Sequence, residues 1–279
     1  MLLRARRSWA PILARAAEIV ASYATAVTLR QLHYRLVSDP ALDYSNTLGD
    51  YKQLSAKTAA LRRDREFPPL ADLTRGIEQE WWNVSAGEAA QEALERFRLD
   101  RSRGQDPLPF VVVEKATLTA QVRSWVDDKT IPVAALRGYS SETLDSAIER
   151  FAFGQKRDVR VIYIGDLDPE GEDIERNFQW QTDLDTERIA ITPELATFHK
   201  LPEEPGKEGS SRAPAFIAKY GRLFQIEVEA LDPDVLRGLV QDAIAETWDD
   251  ALEQDVLDEE DEQREQLQAF VDKFGDVAE

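Results

Sequence analysis

Asp166 and Asp168 stand one residue apart where an apolar run ends, in Val161-Ile-Tyr-Ile-Gly-Asp-Leu-Asp-Pro-Glu-Gly171. In an extended chain residues i and i+2 face the same side, so the pair presents its oxygens together. Two carboxylates about 4 Å apart repel by roughly 4 kcal/mol at an effective dielectric near 20. A divalent ion removes that cost, and an all-oxygen donor set suits Mg²⁺ or Mn²⁺, not zinc. Glu170, two residues on, is a candidate helper for a second ion. An acidic pair at a strand end is also what a loop or a helix cap displays, so a second stretch matters. Pro109-Phe-Val-Val-Val-Glu114-Lys115 is again an apolar strand that ends in a carboxylate. Parallel strands bring their C-terminal ends to one edge, where open α/β sheets carry their sites, and Glu114 then converges on the Asp pair.

That convergence needs a sheet, and the pattern from residue 106 supplies one. Strands at 110–114, 131–136, 159–165 and 187–192 alternate with helices near 118–127, 141–152 and from about 170, which predicts a mostly parallel sheet covered by helices. Residues 199–214 read as a mobile loop, and a strand at 223–229 and a helix from Asp232 to about Trp248 close the domain. Gly104-Gln-Asp-Pro107 is the candidate linker to what precedes it.

The first part of the chain reads as helical. Apolar residues from Ile12 to Tyr23 keep helical spacing after Ser8, Thr28 caps a short helix through Val37, and a third helix runs from about Thr47 to Arg65. The third helix carries Lys52, Lys57, Arg62, Arg63 and Arg65 on its polar side. Three short helices with a basic third fit a winged-helix-like module that enters a DNA groove, while a plain bundle with a solvated basic face has the same pattern. Trp81 and Trp82 suit a domain interface better than base stacking. Residues 83–104 read as one amphipathic helix, and the last thirty as an acidic arm that docks on a partner or a partly disordered tail.

Composition excludes several chemistries. The 279 residues contain no cysteine and two histidines, so thiol nucleophiles, disulfides and thiolate metal sites are out and zinc has little to bind. No run approaches 18 apolar residues, so the expectation is a cytoplasmic, nucleoid-associated protein with no membrane contact. The net charge of −19 is uneven: residues 1–105 sum to +3, 106–240 to −9 and 241–279 to −13. At a Debye length of about 8 Å a distant acidic tail barely alters the potential over an N-terminal binding face.

The three stretches Phe110 to Lys115, Leu136-Arg-Gly-Tyr-Ser-Ser141 and Tyr163 to Gly171 resemble the Toprim domain shared by topoisomerases, primases and overcoming-lysogenization-defect nucleases. With the helical module ahead of them, they look most like the A subunit of topoisomerase VI and its relative, the meiotic double-strand-break transesterase. The resemblance implies an α/β, multi-domain chain: a winged-helix-like helical module over 1–105, a Toprim Rossmann-like parallel sheet over 106–248 and an acidic helical arm over 249–279. It implies that Glu114, Asp166 and Asp168 hold Mg²⁺ near a scissile phosphate. In Thr28-Leu-Arg-Gln-Leu-His-Tyr34, it assigns Tyr34 as the nucleophile with Arg30 beside it; His33 departs from the aromatic expected there. It also implies a homodimer, with the tyrosine of one subunit serving the metal of the other. No G-x-x-x-x-G-K-[ST] stretch occurs, so strand passage would need a separate ATPase subunit.

A free phenol with pKa near 10 is about 0.1% ionised at neutral pH, equivalent to roughly 4 kcal/mol against a ready nucleophile, so Arg30 or the metal has to lower that cost. The competing assignments are a Toprim metal nuclease that uses water, with Tyr34 an ordinary buried tyrosine, and a non-catalytic DNA-binding subunit of a defence or chromosome-maintenance complex.

Overall fold

The computed structural model describes residues 7–23, 27–71, 82–138 and 142–275. The N-terminal helices are α1 (Ala10–Ser22), α2 (Leu29–Val37), α3 (Leu48–Arg63) and α4 (Ala86–Arg96). The next elements are β1 (Leu108–Val113), α5 (Ala116–Val126), β2 (Val133–Ala135), α6 (Glu142–Gln155), β3 (Val159–Ile164), α7 (Pro169–Thr182) and β4 (Asp185–Ala190). The chain closes with α8 (Pro193–Phe198), β5 (Glu204–Pro205), α9 (Ala213–Tyr220), β6 (Phe224–Gln225), α10 (Pro233–Ala245) and α11 (Asp250–Gly275).

The sheet expected from the alternation is present: four strands in the order β2-β1-β3-β4, every adjacent pair parallel. Alternation within the strands loads both faces. Val111, Val113, Ile162 and Ile164 pack against Leu118 and Val122 of α5 and Leu236 and Val240 of α10. Phe110, Val112, Val161 and Tyr163 face Ile148 of α6 and Ile174 and Phe178 of α7. Burial on both faces explains why β1 reads as an unbroken apolar run. From β1 the chain crosses outward to β2, and from β3 it crosses the other way to β4, so the order reverses between β1 and β3. That reversal opens a crevice at their C-terminal ends.

The N-terminal helices have a separate core of Ile12, Ala16 and Ile19 (α1), Leu32 and Leu36 (α2) and Leu54 (α3). Helix α2 starts with a capping box in which Thr28 Oγ1 accepts the Gln31 amide (3.1 Å) and Gln31 Oε1 accepts the Thr28 amide (2.9 Å). Gln31 also donates to Gln121 of α5 at 2.6 Å, which docks α2 on the sheet domain.

The structure revises several expectations. The helix drawn through 83–104 ends at Arg96, because Phe97 turns extended (ψ 121°) and its carbonyl accepts Arg264 Nη2 at 2.8 Å. The strand drawn over 223–229 is short: β6 pairs with β5, and Val228–Ala230 turns as a 3-10 helix. Gln105, in the candidate linker, is buried and bonds the Asp249 main chain at both ends of its amide (2.8 Å each), so that segment is tied down. The acidic arm is a helix, as one of its two expectations had it, and it also packs on this chain: Arg264 reaches the carbonyls of Leu94 and Phe97, and Glu260 takes Arg101. Trp82 is 66% exposed rather than buried in an interface; Trp81 lies outside the described residues, as do Tyr139, Ser140 and Ser141. Among the described residues no helix is long and apolar enough to cross a membrane.

Candidate functional site

Register decides the meeting of Glu114 and Asp166. Val113 pairs with Ile164 at the ends of β1 and β3, so Glu114 and Gly165-Asp166 leave adjacent strands together. Glu114 Oε2 accepts the Asp166 amide at 3.0 Å. Two glycines make room for it: a Cβ on Gly165 would lie 2.8 Å from Glu114 Oε2, and one on Gly171 would lie 2.5 Å from the Asp166 carbonyl oxygen. Neither could carry a side chain without moving main chain or the carboxylate. Arg188 braces the same loop from β4, donating to the carbonyls of Gly165 (3.1 Å), Asp166 (2.9 Å) and Gly171 (3.2 Å) while Glu175 holds its Nε at 2.6 Å.

Both carboxylates are in poor solvent, Glu114 at 9% and Asp166 at 6% exposure. Burial, then the neighbouring Asp166 charge, pushes Glu114 up to about 7. Burial also pushes Asp166 up, against the pull of Lys115. Asp168 moves the same way through burial. Its Oδ1 caps α7 by accepting the Gly171 amide at 2.6 Å, so Asp168 serves the helix-cap role that an acidic pair at a strand end can always serve. Glu170 lies half-buried in the first turn of α7.

A second acidic pair meets the first. Glu227 and Glu229, on and beside the 3-10 turn, stand over Asp166, whose Oδ1 accepts the Val228 amide at 2.8 Å. An isolated bridge between Leu167 and Ile226 fastens this strap to the Asp-Leu-Asp segment. Lys115 lies among these acids: its ammonium is 2.6 Å from Asp166 Oδ2 and 3.7 Å from Glu229 Oε2, and it contacts Glu227. Burial pushes the Lys115 pKa down, but Asp166, Glu227 and Glu229 outweigh it and the net shift is upward. Sequence reading missed Glu227 and Glu229 because 223–229 looked like one more strand; their i, i+2 spacing between Ile226, Val228 and Ala230 repeats the signal that singled out Asp166 and Asp168.

Helix α2 delivers Arg30 to this strap. Its Nη2 pairs with Glu227 Oε2 at 2.9 Å. Its Nε lies 2.9 Å from Glu229 Oε2, an ion pair without hydrogen-bond alignment, so that buried oxygen makes no hydrogen bond. Arg30 Nη2 also reaches Tyr34 Oη at 3.4 Å, a long bond. One run of contacts therefore joins Tyr34, through Arg30, Glu227 and Lys115, to Asp166. Tyr34 is only 7% exposed, and burial first, then Glu227, raises its pKa to about 12 although Arg30 pulls it down. His33 does not assist it. Both His33 ring nitrogens are engaged, Nδ1 with Tyr44 Oη (2.6 Å) and Nε2 with Asn46 Oδ1 (2.9 Å), and burial lowers its pKa. With Asn46 accepting, the proton belongs on Nε2.

The basic residues of α3, and Arg65 just past its end, are not part of this cluster. Lys52, Arg63 and Arg65 are exposed, Lys57 lies over the Trp9 ring at 5.4 Å, and Arg62 folds back to the Thr58 carbonyl at 3.3 Å.

Among the described residues no three acidic or histidine side chains form a ready-made metal cage. The donor set still suits a hard divalent cation: oxygen ligands, buried, mutually repelling, in a glycine cradle, and offset in part by Lys115 and Arg30. No protein-family model matches the chain, and no curated protein matches it in sequence.

Proposed function

We propose that the protein cleaves DNA with a divalent metal, in the manner of a topoisomerase VI A subunit. In this reading residues 106–248 are a Toprim domain, α1 to α3 a winged-helix-like DNA-binding module with Lys52, Lys57, Arg62, Arg63 and Arg65 toward the duplex, and 249–279 an acidic arm packed on α4 and the segment leading into β1. The observation that carries it is the run of contacts from Tyr34 through Arg30 to the acidic crevice, which links a helix near residue 30 with carboxylates at 114 and 166 within one chain. A homodimer and an ATP-driven partner remain part of the proposal on the resemblance alone.

Glu114, Asp166 and Asp168 would hold Mg²⁺ or Mn²⁺, which when bound offsets the charge that develops on the phosphate. Lys115 has to yield its contact with Asp166 as a cation enters. Tyr34 Oη would then give its proton to solvent water and bond to phosphorus while the bond from phosphorus to one deoxyribose oxygen breaks, that oxygen taking a proton from water. Arg30 holds the phenol and favours its anion. Burial and the raised pKa of Tyr34 mean that α2 must shift on the strap before attack.

That burial favours a second reading, in which water attacks and Tyr34 only packs. Supercoiled DNA incubated with the protein and Mg²⁺, run on denaturing gels with and without protease, separates the two. Tyrosine attack gives protease-sensitive adducts that Tyr34→Phe abolishes and Asp166→Ala also abolishes. Free ends made equally by wild type and Tyr34→Phe would assign the water route, and cutting by Asp166→Ala at the wild-type rate would sink both.

A further inference from the structure

Opening from the acidic crevice toward β2 is a cleft of about 680 Å³ lined by Arg30, Glu114, Lys115, Thr117, Arg137 and Glu229, among others. Two of its three cations are committed: Arg30 to Glu227 and Glu229, Lys115 to Asp166 and Glu227. Arg137 is different. Among the described residues its guanidinium makes no hydrogen bond or ion pair, although the chain carries 53 acidic residues against 34 basic ones. Its main chain is held in the left-handed region (φ 59°), followed by Gly138 at φ 95°, and its amide donates to the Glu114 carbonyl at 2.8 Å. A left-handed non-glycine residue is unfavourable, so the neighbouring contacts hold the turn that displays this side chain.

A second feature of the cleft points the same way. Helix α5 begins at Ala116 with no side-chain cap on its first amides, beside the Thr117 hydroxyl, which is held by Glu229 Oε1 at 3.3 Å. Uncapped amides at the start of an 11-residue helix attract anions. The free guanidinium and the open helix start share one cavity. The strand order sets the rest: Arg137, Glu114 and Asp166 follow β2, β1 and β3, neighbours in that order, so they stand in a row along the carboxyl edge, about 4.8 Å apart per strand step. A phosphodiester chain laid along that edge meets a cation first and the acidic crevice next.

We propose that this cleft is a subsite for a nucleic-acid backbone phosphate next to the one attacked, with Arg137 as its positioning cation and the start of α5 as its backbone donors. The proposal rests on the DNA-cleaving reading above and says where the strand adjoining the reacting phosphate is gripped. Arginine suits the task because its planar fork matches phosphate oxygens and never loses its charge.

The test measures binding without cleavage. A fluorescein-labelled 20-base-pair duplex is titrated with full-length protein in EDTA over a series of KCl concentrations, read by anisotropy. Arg137→Asn is the main variant, since asparagine tolerates positive φ, with Arg137→Lys to keep the charge and Arg150→Ala, exposed on α6, to remove an equal charge elsewhere. Arg137→Asn is expected to weaken binding by roughly tenfold whatever the sequence, and to reduce the slope of log K against log salt by about 0.9, one phosphate contact. Arg137→Lys keeps most of the slope, and Arg150→Ala leaves it unchanged. An Arg137→Asn slope and affinity equal to those of Arg150→Ala overturns the subsite, even in a protein that cuts DNA. The expected slope loss in a protein that never cuts DNA supports the subsite and overturns the cleavage reading alone, while wild type that binds no duplex overturns both.

Discussion

Glu114 and Glu260 are both buried carboxylates among basic side chains, and their environments push them in opposite directions. Glu260, on α11, accepts the Leu99 amide, Arg101 and Arg264, each at 2.9 Å. Burial alone would raise it, but these donors outweigh burial and hold it down at about 2. Glu114 has one main-chain donor, and its nearest charged company is another acid; burial carries it up to about 7. In the first cluster basic groups outnumber the acid and every bond is made. In the second, Glu114, Asp166, Asp168, Glu227 and Glu229 share Lys115 and Arg30, and Glu229 keeps a buried oxygen without a hydrogen bond. The first arrangement fastens a helix. The second gathers like charges that an incoming cation would relieve, a pattern more common at sites than at braces.

The contrast can be broken at its structural end first. Glu260→Ala leaves Arg101 and Arg264 facing each other with no anion between them, and is expected to cost roughly 3 kcal/mol of unfolding free energy in urea denaturation, with Mg²⁺ leaving that loss unchanged. A loss below about 0.5 kcal/mol would put α11 among ornamental surface helices and end the comparison.

Glu114→Gln tests the other end, and its sign is opposite. The folded-state pKa of Glu114 is raised from 4.5 to about 7, so the folded chain binds the extra proton between those values. That contribution is complete below pH 4.5 and is lost as pH rises through about 7. Glu114→Gln should therefore be more stable than wild type by about 3 kcal/mol at pH 8, with the gap closing near pH 4.5. Mg²⁺ at pH 8 should raise the wild-type melting temperature and narrow the gap. A gap independent of pH would mean that the glutamate does not titrate where its burial demands.

The smallest effect calibrates both. Arg98 and Asp127 pair at 2.7 Å with side chains 45% and 60% exposed. Arg98→Ala should change stability by no more than about 0.5 kcal/mol. A larger loss would show that ion pairs here have value without burial, and the distinction between the two clusters would blur.

Much of the scaffold was legible from the sequence. The short capped helix at 29–37, the apolar runs of β1 and β3 and the parallel sheet follow from spacing and from the rule that strands joined by helices lie parallel. Glu114 beside Asp166 was legible for the same reason, since each ends a strand of the same sheet. Glu227 and Glu229 were not, because a 3-10 turn has no period to recognise in seven residues. Nor was the docking of α11 on α4, which joins segments about 160 residues apart through arginines that look solvated in sequence.

Residue types and local spacing by themselves determined which side chains could do oxygen-ligand and phosphate chemistry, and on which strand ends they stand. Only the tertiary structure decided what those groups experience: Lys115 and Arg30 drawn among the acids, Tyr34 enclosed with its pKa raised to about 12, and one glutamate driven up while another is held down. Hydrogen-bond periodicity acts over three or four residues and can be read along the chain. A pKa answers to solvent and charge within several ångströms in space, and here the groups that set it come from positions 30, 115, 166 and 227.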